Sequence, residues 1–168
     1  MVRFSFFQTF NLWLHLLSFV VWLGGMIFFL FVFGPAVHGL PARSGAQVLD
    51  KGRKLLQNLS WLAIGLLLVT GGLNFSFRVM AVGFELGPAY YSILGMKLFL
   101  FLAMLLHQSL QSLKYGARIG ALTAAAPSDL DSWPQPLLFH WKKWFLLLKI
   151  NATLGPIVLL LGLGLSRS

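Results

Sequence analysis

The chain has no cysteine, which excludes disulfides, thiolate metal centres and cysteine nucleophiles. Acid is nearly absent as well. Among 168 residues there are four carboxylates, Asp50, Glu85, Asp129 and Asp131, and all four are expected in loops. That set supplies no paired carboxylates for acid–base catalysis, no intramembrane acid for a proton pump and no partner for a buried lysine. Ser/His/Asp arrangements and phosphate-cradling loops are missing too. The pairs Gly24-Gly25 and Gly71-Gly72 lie inside apolar runs, where close helix contact accounts for them better.

What the chain does have is apolar surface. Hydrophobic residues make up 58% and charged residues 10%, with sixteen Phe, six Trp and a mean hydropathy of +0.81. Such a composition defines an integral membrane protein rather than a soluble domain. The net charge of +9 fits the basic cytoplasmic loops of membrane proteins, so the expected partner is the lipid bilayer and not nucleic acid.

The stretch Asn11 to Phe33, NLWLHLLSFVVWLGGMIFFLFVF, carries no formal charge. As a helix it is about 34 Å long, enough to cross a hydrocarbon core of about 30 Å. It follows Arg3 but is too long for a signal h-region and has no small-residue cleavage site before Gly34-Pro35, so it is expected to be a retained first span. Asn11, His15, Ser18, Trp22 and Gly25-Met26 recur at helical spacing. That face should point at other helices.

The remaining sequence repeats the theme. Hydropathy predicts an all-α bundle of four transmembrane helices, at about residues 11–33, 58–77, 90–112 and 144–166, in a single membrane domain covering 1–168. The proline after Gly34 is expected to end the first helix. Residues 34–57 then form a loop with a short amphipathic helix around Gln47 to Gln57, and residues 113–143 form a polar, Pro-bearing loop. Thr70, Gly71 and Asn74 on the second helix, and Asn151, Gly155 and Gly162 on the fourth, mark packed faces. Tyr90, Tyr91, Trp141 and Trp144 are expected in an interfacial aromatic belt.

Basic residues set the orientation. Arg43, Lys51, Arg53, Lys54, Lys114, Arg118, Lys142 and Lys143 fall in the two long loops, against Arg3, Arg78 and Arg167 on the other side. Eight against three puts the loops in the cytoplasm and both termini on the periplasmic side of a bacterial inner membrane.

Ionisable groups inside spans are costly and are functional candidates by default. These are His15, Lys97 and His107, each weighed against a plainer role: a helix-joining hydrogen bond for the histidines and a snorkelling ammonium for the lysine. Helices one and three run in the same direction, so the two histidines differ in depth by about 15 Å at 1.5 Å per residue. Two levels result, an outer one with His15, Asn74, Arg78, Met96 and Lys97 and an inner one with Met26, Met104, His107 and Asn151. Imidazole and thioether suit Cu(I), and either can be an axial ligand of haem iron. Lys149 is expected to snorkel, and His38 and His140 to lie at the interface.

The runs LHLLSFVVWLGGMIFFLFVFGPAV, KLLQNLSWLAIGLLLVTGGLN, ILGMKLFLFLAMLLHQSL and KINATLGPIVLLLGLGLS resemble, in order, the spans of small proteins of the CopD (copper-resistance protein D) family. His15 with Trp22-Leu23-Gly24-Gly25, the Thr70-Gly71 and Asn74 group, and Lys97 with His107 carry the likeness. It implies movement of copper across the inner membrane, and together with the two levels of residues it makes copper handling the leading expectation: Cu(I) passes between metal sites at His15 and at His107, with Met26 and Met104 assisting. A helix-one His, with a Lys followed ten residues later by a His, also looks like the HemJ-type protoporphyrinogen oxidases. That likeness implies haem b, with His15 or His107 axial and Lys97 at a propionate. A third reading is a non-catalytic accessory subunit of a larger membrane complex, whose Phe-rich faces dock other subunits or a second copy.

Overall fold

A computed structural model describes residues 6–127 and 131–165. These residues fold into α1 (Phe6–Phe28), a π-helical segment (Phe29–Phe33), α2 (Gly34–Val37), α3 (Ala42–Val82), α4 (Pro88–Ser109), a second π-helical segment (Leu110–Gly116), α5 (Ala117–Ala124) and α6 (Gln135–Leu165). Four continuous helical rods result, 6–37, 42–82, 88–124 and 135–165, each long and apolar enough to cross a membrane.

The rods are longer than the apolar runs predict. The helix expected around Gln47 to Gln57 is part of α3, and beyond it much of 34–57 and 113–143, expected as loop, is also helical, because α3 begins at Ala42 and α6 at Gln135 while the third rod continues to Ala124. Polar helix ends tolerate water, so hydropathy locates the lipid-embedded part of a rod and not its termini. Pro35 does not end the first rod either. The preceding backbone widens into a π turn in which the Gly34 N–H bonds to Phe29 O, and Pro35 sits at the start of α2, where a missing donor costs little. True breaks occur at Pro41, which starts α3, and at Gly83, whose φ of +71° ends it. Gly87-Pro88 opens α4.

Two antiparallel hairpins make up the bundle. α1 packs along α3 and α4 along α6, and the hairpins are joined through α1 and α6, while α3 and α4 barely touch along their spans. The α1–α6 seam depends on Gly155, where a Cβ would lie 2.6 Å from Leu23 Cδ1. Trp22 of α1 meets Phe101 of α4 edge to face at 6.1 Å. At the end away from the Gly83–Gly87 turn, α5 and the second π segment close onto α3.

The core runs through Trp22, Met26, Phe29, Ile64, Met104, Leu148 and Val158. Trp141 and Trp144 belong to it, at 2% and 1% exposure, so they are not belt residues. They pack against each other with ring centroids 5.5 Å apart, and Trp144 against Phe29 at 5.2 Å. Tyr90 is also buried, whereas Tyr91 is exposed and its hydroxyl donates to Phe84 O at 2.9 Å. Phenylalanines such as Phe28, Phe31 and Phe99 cover the outside, as a lipid-facing surface requires.

Candidate functional site

His15 sits on the stripe that spacing predicted, with Asn11, Ser18, Trp22 and Met26 buried on either side of it. Its partner is the Thr70-Gly71-Asn74 face of α3. His15 Nδ1 and Thr70 Oγ1 are 2.8 Å apart, and Thr70 Oγ1 donates its own proton to Leu66 O at 2.5 Å. A hydroxyl has one proton, so toward the imidazole Thr70 can only accept. His15 Nδ1 therefore carries the N–H, and in the neutral ring Nε2 keeps its lone pair.

Asn11 braces this arrangement by donating to Thr70 O and to Asn74 Oδ1, both at 2.9 Å. Gly71 gives the ring its place, since a Cβ there would lie 3.3 Å from His15 Cε1.

Lys97 approaches from α4. Its ammonium packs over Gly162 of α6, where a Cβ would lie 3.3 Å from Nζ. The side chain is half-buried and within electrostatic reach of His15. It faces the bundle rather than snorkelling, and Gly162 is the residue that makes room for it. No carboxylate pairs with it among the described residues. Nearby on the helix ends, the Arg78 guanidinium lies 5.6 Å from the Tyr90 ring centroid and its buried Nε has no hydrogen-bond partner. Met96, expected on the same level, is 53% exposed and does not contribute.

The second histidine is held by the other hairpin. His107 Nδ1 lies 3.0 Å from Asn151 Oδ1, and Asn151 Nδ2 donates to Met104 O at 3.1 Å. With its amide nitrogen committed to a carbonyl, Asn151 presents an acceptor, so His107 also holds its proton on Nδ1 and its lone pair on Nε2. Asn151 is fully buried. Met26 and Met104 are both 0% exposed and Met80 is 84% exposed. Thus the two imidazoles share no partner, as their different depths require. Among the described residues no three His, Cys, Asp or Glu side chains gather into a metal-binding group.

Two sequence expectations change at the far end of the bundle. Asp50 is not in a loop: it lies in α3 at 5% exposure, with Oδ1 accepting from Arg53 Nε and Nη2 at 2.9 and 2.6 Å and Oδ2 facing Lys54 Nζ at 2.7 Å. Arg53 is buried too and donates to Gln57 Oε1 at 2.6 Å. Gln57 donates in turn to Gln111 O at 3.2 Å, in the π segment. The spacing Asp50, Arg53, Lys54, Gln57 was the available signal, since i, i+3, i+4 and i+7 share one helical face. Counting these residues only as loop charges hid it.

His38 and Lys149 are exposed, while His140 is half-buried with an unpartnered Nδ1. Arg3, Asp129 and Arg167 lie outside the described residues. Comparison with known proteins adds no neighbour: no family model matches the chain, nor does any curated protein or solved structure.

Proposed function

We propose that this is a multi-span membrane protein that holds haem b at the level of His15 and Lys97 and serves electron transfer or porphyrinogen oxidation. The observation that carries the proposal is a ligand-ready imidazole within electrostatic reach of a half-buried ammonium that pairs with no carboxylate among the described residues. A buried cation in a membrane calls for an anion, and haem b brings two propionates along with an iron that accepts an imidazole nitrogen. The donor set fits. His15 offers Nε2 because Thr70 fixes the proton on Nδ1, the arrangement that orients metal-bound histidines elsewhere. Lys97 anchors a carboxylate, and Arg78 offers a second cation toward the same end. When bound, haem supplies a one-electron couple; the protein holds, orients and neutralises it. By the distribution of basic residues, this level lies on the periplasmic side of a bacterial inner membrane and the Arg53 end on the cytoplasmic side.

A second reading, copper handling between His15 and His107 with Met26 and Met104 assisting, draws on one observation. The two methionines that share the bundle core are the fully buried ones. Against it, the Lys97 charge near His15 repels a bare cation.

An optical spectrum of the purified protein separates the two. Haem gives a Soret band that disappears in His15→Ala, is titrated with weaker affinity but at an unmoved position in Lys97→Gln, and survives in His107→Ala. Stoichiometric copper without a Soret band overturns the haem reading. Neither ligand, with co-purifying subunits, returns the accessory-subunit reading.

A further inference from the structure

The cleft between α3 and α5, lined by Gln47, Asp50, Lys51, Lys54, Gly120 and Thr123 among others, has no part in the haem or copper readings. We propose that it is a binding site for the phosphate of an anionic phospholipid. Three observations meet there.

The first is charge. Asp50 is the acid of the cleft, and both its oxygens are engaged, Oδ1 by Arg53 and Oδ2 by Lys54. Against that single negative charge stand Lys54, the Arg53 guanidinium behind it, and Lys51, which is exposed and forms no ion pair among the described residues. The cleft is therefore positive on balance, and Lys51 has three donors to offer.

The second is an orphan. Thr123 lines the cleft at 6% exposure, and its buried Oγ1 has no hydrogen-bond partner. A threonine in a helix commonly satisfies itself on the carbonyl one turn back, as Thr70 and Thr153 do here. Thr123 does not, so an unpartnered hydroxyl belongs to a residue of the same cleft wall that Lys51 lines. Gly120, one turn away, presents no side chain to block the approach, and the far wall is the Lys54 stem, whose Cε would lie 3.9 Å from a Cβ at that position.

The third is depth. Lys54 and Lys51 precede Asn58, where the expected second span begins, by four and seven residues, or about 6 and 10 Å along the helix. The headgroup layer occupies roughly the first 5 to 8 Å beyond the hydrocarbon. A phosphodiester at that depth lies level with Lys54 and within reach of the long, flexible Lys51 side chain, and lipid is the phosphate source always present there. Zwitterionic lipid carries its own cation, so the positive cleft selects lipid of net negative charge.

The test uses the full chain in neutral detergent, with retained lipid counted by native mass spectrometry during titration with phosphatidylglycerol or phosphatidylcholine. Phosphatidylglycerol should bind at one saturable site, with phosphatidylcholine at least tenfold weaker. Lys51→Gln and Thr123→Val should each weaken phosphatidylglycerol by about tenfold, the order expected for losing one hydrogen bond to a charged group, while Lys51→Arg should retain it. Circular dichroism confirms that each variant is folded, and the exposed Lys51 variants keep the test decisive if Thr123→Val is not. Equal binding of the two lipids, or unchanged phosphatidylglycerol affinity in Lys51→Gln, overturns the site. Competition by millimolar inorganic phosphate at the same affinity as the lipid overturns the lipid assignment in favour of a free-anion site.

Discussion

The Thr70 hydroxyl accepts from His15 Nδ1 at 2.8 Å while giving its own proton to Leu66 O. One side-chain oxygen thereby fixes which ring nitrogen is free. Thr70→Val keeps the shape of the side chain but removes the acceptor. Haem affinity, read by titration against the Soret band, should fall by 10- to 100-fold, the usual cost of losing the partner of a ligating histidine. Thr70→Ser should restore most of it. An unchanged affinity in Thr70→Val would mean that the imidazole is not oriented through this bond.

Gly71 and Gly162 test the same level from its walls. A methyl at Gly71 would stand 3.3 Å from His15 Cε1, and one at Gly162 the same distance from Lys97 Nζ. A shift of a few tenths of an ångström relieves either contact, so the fold should survive both alanine substitutions. The ligand should notice: Gly71→Ala is expected to move the Soret position, because the His15 ring that would hold the haem is displaced, and Gly162→Ala to weaken binding without moving the band. Melting temperatures near wild type are part of the expectation, since overall collapse would turn both results into packing effects.

Asn151 makes a different contribution, bridging His107 Nδ1 and Met104 O across the α4–α6 interface. Its removal strands the half-buried His107 Nδ1 and takes the side-chain donor from the buried Met104 O. Asn151→Leu should destabilise the protein by about 2 kcal/mol, within the range measured when a buried hydrogen-bond partner is lost, and a thermal melt in detergent reads that loss. The His15 level should be untouched, with haem content per folded protein unchanged. Loss of haem in Asn151→Leu would place the cofactor at His107.

The face of α1 was legible because apolar lipid contact leaves Asn11, His15 and Ser18 with one tolerable direction, and the same logic found Asn74, Asn151, Gly155 and Gly162. What spacing did not show was the match between faces. That His15 meets Thr70 and Lys97 meets Gly162 depends on which helices pair, and apolar spans carry little pairing information. The tryptophans misled for a related reason. Trp141 and Trp144 lie beside lysines in sequence, which suggests a belt, but a helix turns 100° per residue and places them on the opposite side from Lys142 and Lys143. Helix ends were hidden because a polar helix outside the membrane looks like a loop to a hydropathy average.

At the far end, the strongest prediction concerns Arg53. Its guanidinium is buried in contact with Asp50 and Gln57 and packs against Gly116, where a Cβ would fall 2.5 Å from Nη1. Removing one member of a buried pair leaves the other charge without compensation, at a cost of about 3 to 5 kcal/mol, whereas removing both together with apolar groups of similar size is often close to neutral. Arg53→Met should therefore be severely destabilised, with Lys54 remaining as a half-measure on Asp50 Oδ2. Asp50→Leu in the same background should recover much of the loss in a thermal melt. Gly116→Ala should be destabilised too, because a Cβ there meets Gln57 Nε2 at 2.7 Å and Gln111 O at 2.8 Å besides the guanidinium, and adding it to Arg53→Met should cost less than the sum of the two but not nothing, since the backbone contact remains. Full additivity of the Arg53 and Gly116 substitutions would show that they act on separate contacts, and the closure of α5 onto α3 would then have to rest on the apolar residues around Ile119.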